Sequence, residues 1–540
     1  MYSVAGLAIL GLGLRLWGIG FGLPETYHPD EPAYVLQALA VGRGLPGGLT
    51  FANPPLYKYL LLGEYAATFG LGRVAGRYAS AQDFVNQFRA QPALLYLEAR
   101  ATSAVLGSLT VVATYMLGAS WRGRRAGLVA AGWSAVAYLL VREAHFGVND
   151  ALVTLVVTLA LVFCVRVVRK GRPRDSLMAG ALTGLAFTAK YQGLAALVPL
   201  ALAHLLAAPR RLERLALAFG VMLVCVGLTF PSLLVEPRRV LDDIYLHLYL
   251  PGQVGYDGID PGGGFLYYLK VLGLGVGWPI VLAAVLGVAV RWRDRACVIV
   301  ASLPIVVYGV LGSERMYFAR LLLPALPAVI VLAAVLLDDI SHGWHTRPAA
   351  VAMAVAVVSA LVAAPLLLDA VRLDRVLTRT DTRSQALAWT ESSLEPGARI
   401  AVDAPPLGPP LPPERFDLLV ANGWALYDLA VDDYRARGVQ YIVTSSFTAE
   451  AVQLEPARDT QRRAFYRSLA ATAELMAEFR PASADLPFRY DAIYGPFDSL
   501  ADLERPGPSI RVYRLRAAAS GRASGVPTAP AGNPSRAARS

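Results

Sequence analysis

The chain has 540 residues, of which 55% are hydrophobic and 17% charged, with a formal net charge of +10 and a mean hydropathy of +0.46. An ordinary soluble chain carries about 45–50% apolar and about 25% charged residues, so this balance excludes a soluble globular protein and points to a membrane one. The basic surplus does not indicate a nucleic-acid partner, because the arginines cluster in short loops between apolar runs, as a bilayer-crossing chain requires.

A bilayer core takes about 20 apolar residues per helix. Apolar runs occur near residues 3–23, 97–119, 125–141, 150–168, 176–190, 192–208, 214–235, 265–290, 296–312, 319–337 and 348–368. They predict roughly eleven transmembrane helices. The first run has no basic segment before it and is long enough to span, so it reads as a retained signal-anchor helix. The stretch 32–94 contains "PAYVLQALAVGRG" and "NPPLYKYLLLGEYAATFGLGR", moderately apolar and rich in Tyr and Leu. These read as helices lying in the outer interface. A crossing by 55–72 would instead reverse every later loop. The three cysteines, Cys164, Cys225 and Cys297, all fall in apolar runs, which excludes a disulfide framework outside the membrane and gives no zinc spacing.

The basic loops "WRGRR" (121–125), "RVVRKGRPR" (166–174), "PRRLER" (209–214), "RWRDR" (291–295) and "HGWHTR" (342–347) recur at every second connection. Basic loops stay in the cytoplasm, so the amino terminus is expected inside and the carboxyl terminus outside. The opposite connections carry "YHPDEP", "HFGVND", "KYQG", the segment 236–264 and "GSERMYFAR". Arg238 and Arg239 in that segment are a small exception to the rule. From about residue 370 charge rises and the segments shorten. "RIAVD" (399–403), "VQYIVTSS" (439–446) and "SIRVYRL" (509–515) read as strands, and 382–394 and 461–479 as amphipathic helices. The expected organisation is a polytopic α-helical membrane domain (1–370), a small extracytoplasmic α/β domain (371–516) and a disordered tail (517–540).

The unusual polar residues gather on the outer side. Asp30 and Glu31 follow the first span; taken alone they could simply cap the next helix. Arg142 and His145 sit one turn apart, with Asp150 where a helix begins. Lys190 interrupts an apolar run, and an ionisable residue at membrane depth is a functional candidate unless it snorkels. Arg315 and Arg320 bracket the next entrance, and arginine suits phosphate recognition. Acids Asp30, Glu31 and Asp150 are thus matched by cations Arg142, Lys190 and Arg320. An acid can take a proton from an attacking hydroxyl, and cations at the lipid boundary can hold an anionic headgroup. That combination suggests group transfer from a lipid-borne phosphate. Segment 236–264 is rich in Gly and Pro and suggests a mobile loop over the site, with His247, Tyr249 and Tyr256 as contacts to sugar or lipid phosphate, or as a mere cover.

The ordered series "HPDEP", "NPPLYKYL", Arg/His…Asp before the fourth span, "GLAFTAKY" and "ERMYFARLLLPALP" resembles the GT-C glycosyltransferases that use polyprenyl-phosphate sugars. Within them it is similar to glycosyltransferase family 39, the protein O-mannosyltransferase group, and to its bacterial relatives, including the lipid A aminoarabinose transferase. The likeness covers about residues 1–370. It implies Asp30 as catalytic base with Glu31 beside it. It also implies Lys190 and Arg320, with Arg315, as ligands of the donor phosphate, and Asp150 as a second acidic position with Arg142 and His145 beside it; Arg142 is expected to join the phosphate ligands, and His247 and Tyr256 of the loop to join Asp150 and His145 as the acceptor or sugar site. The implied partners are a polyprenyl-phosphate sugar, membrane lipids and an acceptor that is lipid, glycan or protein. No cofactor is required; a divalent metal held by His28, Asp30, Glu31 and Asp150 is the minor alternative. Nothing in the chain is long enough for the β-trefoil insert of the eukaryotic mannosyltransferases, so protein O-mannosylation is not implied. A transporter or flippase of lipid-linked sugars is the competing reading; it should show paired halves and charges at mid-membrane. A non-catalytic scaffold would leave the outer polar set unexplained.

Overall fold

The computed structural model describes residues 2–44, 49–207, 212–259, 263–342 and 348–516. The tail expected to be disordered and most of the basic loop 342–347 lie outside them. The membrane part opens with α1 (Tyr2–Leu16), followed by three helices, α2 (Glu31–Gly42), α3 (Leu56–Val74) and α4 (Ala81–Ala90), where interfacial helices were expected. Then come α5 (Ala93–Trp121), α6 (Arg124–Val136), α7 (Tyr138–Arg142), α8 (Asp150–Lys170), α9 (Pro173–Ala189), α10 (Leu197–Leu205) and α11 (Leu212–Thr229). Short helices α12 (Ser232–Val235), α13 (Pro237–Ile244) and α14 (Leu250–Val254) lead to α15 (Gly264–Val276), α16 (Trp278–Arg291), α17 (Arg295–Ser313), α18 (Leu326–His342) and α19 (Pro348–Leu377).

Among the described residues six helices are long and apolar enough to cross a membrane, or seven if α15 and α16 count as one broken span. The protein is a multi-pass membrane protein. The sequence expectation of about eleven spans also counted the shorter helices α1, α6, α9 and α10. The run expected as a single span over 265–290 is bent by 110°. The cause is local: Gly277 adopts φ +84°, a conformation that side chains resist, and Pro279 follows it. Small residues let other helices approach closely. A Cβ at Gly180 would stand 2.1 Å from the Ala218 carbonyl oxygen and one at Gly184 2.6 Å from that of Met222, so α9 lies backbone to backbone against α11.

The connections sort to two ends. At one end Arg122 and Arg125 meet Asp338, Arg122 and Arg291 meet Asp339, and Arg169 meets Asp294. At the other end lie Asp30, Asp150, Lys190 and Arg320. There α19 passes into the C-terminal domain through α20 (Thr382–Ser393).

That domain is a five-stranded mixed sheet in the order β2-β1-β3-β5-β4. Its strands are β1 (Arg399–Asp403), β2 (Asp417–Ala421), β3 (Tyr441–Ser445), β4 (Ala473–Phe479) and β5 (Ile510–Leu515). Strands β2, β1 and β3 run parallel, and β5 is antiparallel to both β3 and β4. Helix α21 (Val431–Ala436) precedes β3, and α22 (Ser446–Ala449) and α23 (Pro456–Thr472) follow it. Ala386 of α20 packs with Ile400, Val443 and Val512 on one face, and Phe465 and Leu469 of α23 with Ala401 and Ile442 on the other. Two expectations change here. The helix expected over 461–479 ends at Thr472, and "AELMAEF" is the strand β4. Its residues favour helix, but Glu474 accepts from Arg514 at 2.7 Å and Glu478 from Arg511 at 2.6 Å across the strand pair. Strand β2 was not foreseen.

Asp403, at the end of β1, is 2% exposed, and its Oδ2 accepts from the Ser445 amide at 2.9 Å and the Thr448 hydroxyl at 2.7 Å. Burial pushes its carboxyl up to about 6, against the pull of those two bonds. The folded state therefore binds this proton more tightly than the unfolded chain. The contribution to stability is complete below the ordinary value of 3.8 and is lost as pH rises through about 6. Asp403→Asn should flatten that part of the melting temperature profile of the purified protein. Parallel profiles for variant and wild type across this window would refute the assignment.

Candidate active site

The chain leaves α1 through turns at residues 17–24 and reaches His28, Asp30 and the start of α2. Glu31 opens that helix and is completely buried. Both its oxygens are taken by Arg100 of α5, from Nε and Nη2, each at 2.7 Å. Its Oε1 also accepts from the Gly147 amide at 2.7 Å. Arg100 donates further to the carbonyls of Ile19 and Phe21, at 2.9 and 2.6 Å. Glu31, expected to orient Asp30 or to bind the acceptor, is the pin that fixes the loop bearing Asp30 to α5 and to residue 147. Burial would raise its carboxyl, but Arg100 outweighs that and holds it below the usual range.

Asp30 faces the other way. Its side chain is 31% exposed and accepts a hydrogen bond from Nη1 of Arg320, which is 13% exposed. The pair closes a separation of 290 residues. Burial works to raise the Asp30 carboxyl, yet Arg320, helped by Lys190, carries it below the ordinary aspartate value, so it is ionised. The His28 imidazole, its ring centroid 4.6 Å from that of Phe146 and tilted by 34°, is pushed down to about 4 by burial, so it is neutral, and its Nδ1 accepts from the Asp30 amide at 3.2 Å.

A second pair stands alongside. Asp150 begins α8, Lys190 ends α9, and the Lys190 ammonium donates to Asp150 Oδ1 at 2.5 Å. The neighbouring Asn149 amide donates to the Ala189 carbonyl at 2.7 Å, which sews the same two helix ends together. Gly193 folds the chain back after Lys190; a Cβ there would lie 2.1 Å from the Ala186 carbonyl oxygen. Tyr34 of α2 lies within electrostatic reach of Asp30, Asp150 and Arg320, so the two pairs are neighbours.

Several buried polar atoms here have no partner among the described residues: Arg320 Nε, Asp150 Oδ2, His28 Nε2 and Asn149 Oδ1. Buried polar atoms are usually satisfied, and a cluster of orphans marks a place built for something else. Donors and acceptors both remain open.

The other sequence-predicted residues are placed as follows. Arg142 was expected on the donor phosphate. It is 1% exposed and spends its guanidinium on Glu143 and on the carbonyls of Pro496 (2.7 Å), Asp491 (2.8 Å) and Gly495 (3.0 Å), so it faces the C-terminal domain instead. His145 turns to the Val141 and Trp17 carbonyls and to Asp374 of α19, away from Asp30. Arg315 is exposed, and its backbone amide donates to the Gly252 carbonyl at 2.8 Å. His247 is exposed on the segment 245–249. Tyr256 is exposed and packs edge-on against Tyr490 of the C-terminal domain, ring centroids 5.7 Å apart. The proposed metal set does not assemble. Asp30, Glu31 and Asp150 each face a cation, and among the described residues no group of three or more His, Cys, Asp or Glu side chains is placed to hold a metal ion.

Sequence reasoning missed Arg100, although a charged residue inside an apolar helix was a usable signal. It also missed Lys58, whose ammonium is held by the Thr50 and Asn53 carbonyls at 2.7 and 3.0 Å, and whose proton affinity burial pushes down to about 7. Tyr490 and Tyr494 carried no motif at all.

Residues 96–234 match the family model described as dolichyl-phosphate-mannose-protein mannosyltransferase. That stretch contains Arg100, Asp150 and Lys190, while Asp30 and Arg320 lie outside it. No curated protein matches the chain. Among solved structures, ArnT from Cupriavidus metallidurans in the apo state aligns over 94% of this chain and 98% of its own, with 17% identity and a TM-score of 0.53. The oligosaccharyltransferase of Archaeoglobus fulgidus in the apo form aligns over 90% of this chain and 75% of its own, with 11% identity and a TM-score of 0.51. The archaeal oligosaccharyltransferase AglB from the same organism, in complex with an inhibitory peptide and a dolichol-phosphate, covers 82% of this chain and 69% of its own at 13% identity, again with a TM-score of 0.51. The fold is that of the GT-C glycosyltransferases. Within this GT-C fold the two ion pairs lie at the end of the helices that carries the C-terminal domain.

Removing either member of the Glu31–Arg100 pair leaves a buried charge unpaired, which costs about 3–5 kcal/mol. Glu31→Ala and Arg100→Ala should each lower thermal stability in detergent sharply, and the double substitution should cost less than the two singles combined. Strict additivity would show that the pair is not the pin described.

Proposed function

We propose that the protein is an inverting membrane glycosyltransferase that moves a sugar from a polyprenyl-phosphate-linked donor to a hydroxyl- or amine-bearing acceptor on the extracytoplasmic face. One observation carries this reading: an ionised aspartate, Asp30, shares a space with two cations, Lys190 and Arg320, at one end of the membrane helices, amid orphaned donors and acceptors. The match to the mannosyltransferase family model and the dolichol-phosphate bound to AglB support the donor class. The positive-inside distribution of the loops supports the face.

In this mechanism the isoprenoid tail lies in the bilayer and the donor phosphate enters beside Arg320 and Lys190. Arg320 offers its free Nε, and Lys190 gives up part of its bond to Asp150. The two cations neutralise the charge that develops on the departing phosphate. A phosphate leaves without a general acid, so one base suffices. Asp30 takes the proton from the acceptor as that group attacks the anomeric carbon opposite the phosphate. Asp150 is left to balance Lys190 and to accept from a sugar hydroxyl through Oδ2. Glu31 serves by position alone, holding the Asp30 loop.

Asp30→Asn keeps shape and hydrogen-bonding capacity but removes the base. Sugar transfer from a polyprenyl-phosphate donor by the purified variant should fall about 10²–10⁴-fold in kcat with the fold intact. Lys190→Gln should raise KM for the donor and also lower kcat, because the lysine meets both the bound phosphate and the charge that develops as it leaves. Transfer by Asp30→Asn at the wild-type rate refutes the base.

A further inference from the structure

The C-terminal domain does more than sit at the end of α19. Its short helical turn Tyr490–Tyr494 and the residues just after it enter the membrane part and meet the residues around Arg320. The Tyr494 ring lies under the Arg320 guanidinium, 4.3 Å from the centroid, and also stands 5.4 Å from the His28 ring. Phe318 flanks Arg320 on another side, 5.4 Å from its guanidinium carbon. The Asp491 carboxylate accepts from the Tyr267 hydroxyl and from the Ala319 amide, the latter at 2.9 Å. Ala319 immediately precedes Arg320, so Asp491 holds the backbone while Tyr494 holds the side chain.

The segment is locked from behind. Arg142 binds the carbonyls of Asp491, Gly495 and Pro496, and the Tyr138 hydroxyl donates to those of Pro496 and Phe497, at 3.1 and 2.5 Å. Gly495 has φ +124°, and a Cβ there would meet the Phe146 ring at 2.6 Å, so only glycine lets the turn seat against the ring that packs beside His28. A guanidinium held over an aromatic face loses freedom and gains electrostatic attraction.

We propose that this turn is a positioning element of the Asp30–Arg320 pair: Tyr494 fixes the Arg320 guanidinium against Asp30, and Asp491 fixes the backbone from which Arg320 projects. The C-terminal domain thereby supplies one wall of the site. The groups facing Asp30 are Arg320, His28 and Lys190, with Tyr34 from α2 and Tyr494 from this turn, while Asp150 balances Lys190. Arg320 keeps Asp30 ionised, so loosening Arg320 should make Asp30 harder to deprotonate. Only the kinetic half of the test rests on the transferase reading above.

The test has two readouts. In the purified full-length protein, hydrogen–deuterium exchange over 316–325 should quicken in Asp491→Ala and Tyr494→Leu while α8 keeps its wild-type protection. In the transfer assay, Tyr494→Leu should lower kcat about tenfold and move the acidic limb of the kcat profile up by about half a pH unit. Tyr494→Phe, which retains the ring, should restore both. Unchanged exchange over 316–325 in both variants overturns the clamp. Quickened exchange with an unmoved acidic limb overturns its action on Asp30, since a purely structural role would lower the rate at every pH alike. If Asp30→Asn transfers sugar normally, the transferase mechanism fails separately, and the clamp stands or falls by the exchange measurement.

Discussion

Everything at this end of the molecule follows from one constraint: a charge buried at the lipid boundary needs a counter-charge. Asp30 has Arg320, Glu31 has Arg100, and Asp150 has Lys190. The pairs differ in how completely they are closed. Glu31–Arg100 is sealed, with every carboxylate oxygen occupied and neither side chain exposed. The other two keep open atoms, Nε on Arg320 and Oδ2 on Asp150. The sealed pair fixes the backbone, and the open pairs are left free to exchange partners. In the reaction proposed above, an anionic donor entering between them would meet cations already placed and would free carboxylates for proton transfer and hydrogen bonding. Such preorganisation lowers the reorganisation needed when charge develops during reaction.

The same logic extends to the aromatic residues. Phe318 and Tyr494 lie against the Arg320 guanidinium and His28 against the Asp30 backbone, and Phe146 and Tyr490 back these rings from behind. They keep water from most of the guanidinium while leaving Asp30 partly accessible. The neutral imidazole of His28 adds a hydrogen-bond acceptor for the Asp30 amide without adding charge.

How much of this was legible depended on the kind of signal. Single ionisable residues at helix ends announce themselves, so Asp30, Asp150, Lys190 and Arg320 stood out in the sequence. Their pairing did not, since Asp30 and Arg320 are 290 residues apart and nothing local couples them. Arg100 was absorbed into an apolar run because hydropathy averages over one charge. Arg142 was visible, but apart from Glu143 its partners are backbone carbonyls of the C-terminal domain, which have no sequence signature. The sheet domain was mostly legible from its alternating strands. Strand β4 failed because its composition favours helix and its charges only make sense opposite Arg511 and Arg514.

The Arg142 latch bears on how the two domains coexist. A chain cut after α19 would keep the arginine and Glu143 but lose every carbonyl that the guanidinium now engages in the 491–496 segment. The excised membrane bundle would then carry a partly stripped cation in its interior, and its local electrostatics would differ from those of the whole molecule. Any shortened version meant to preserve the native environment would have to bring substitute oxygens to that guanidinium.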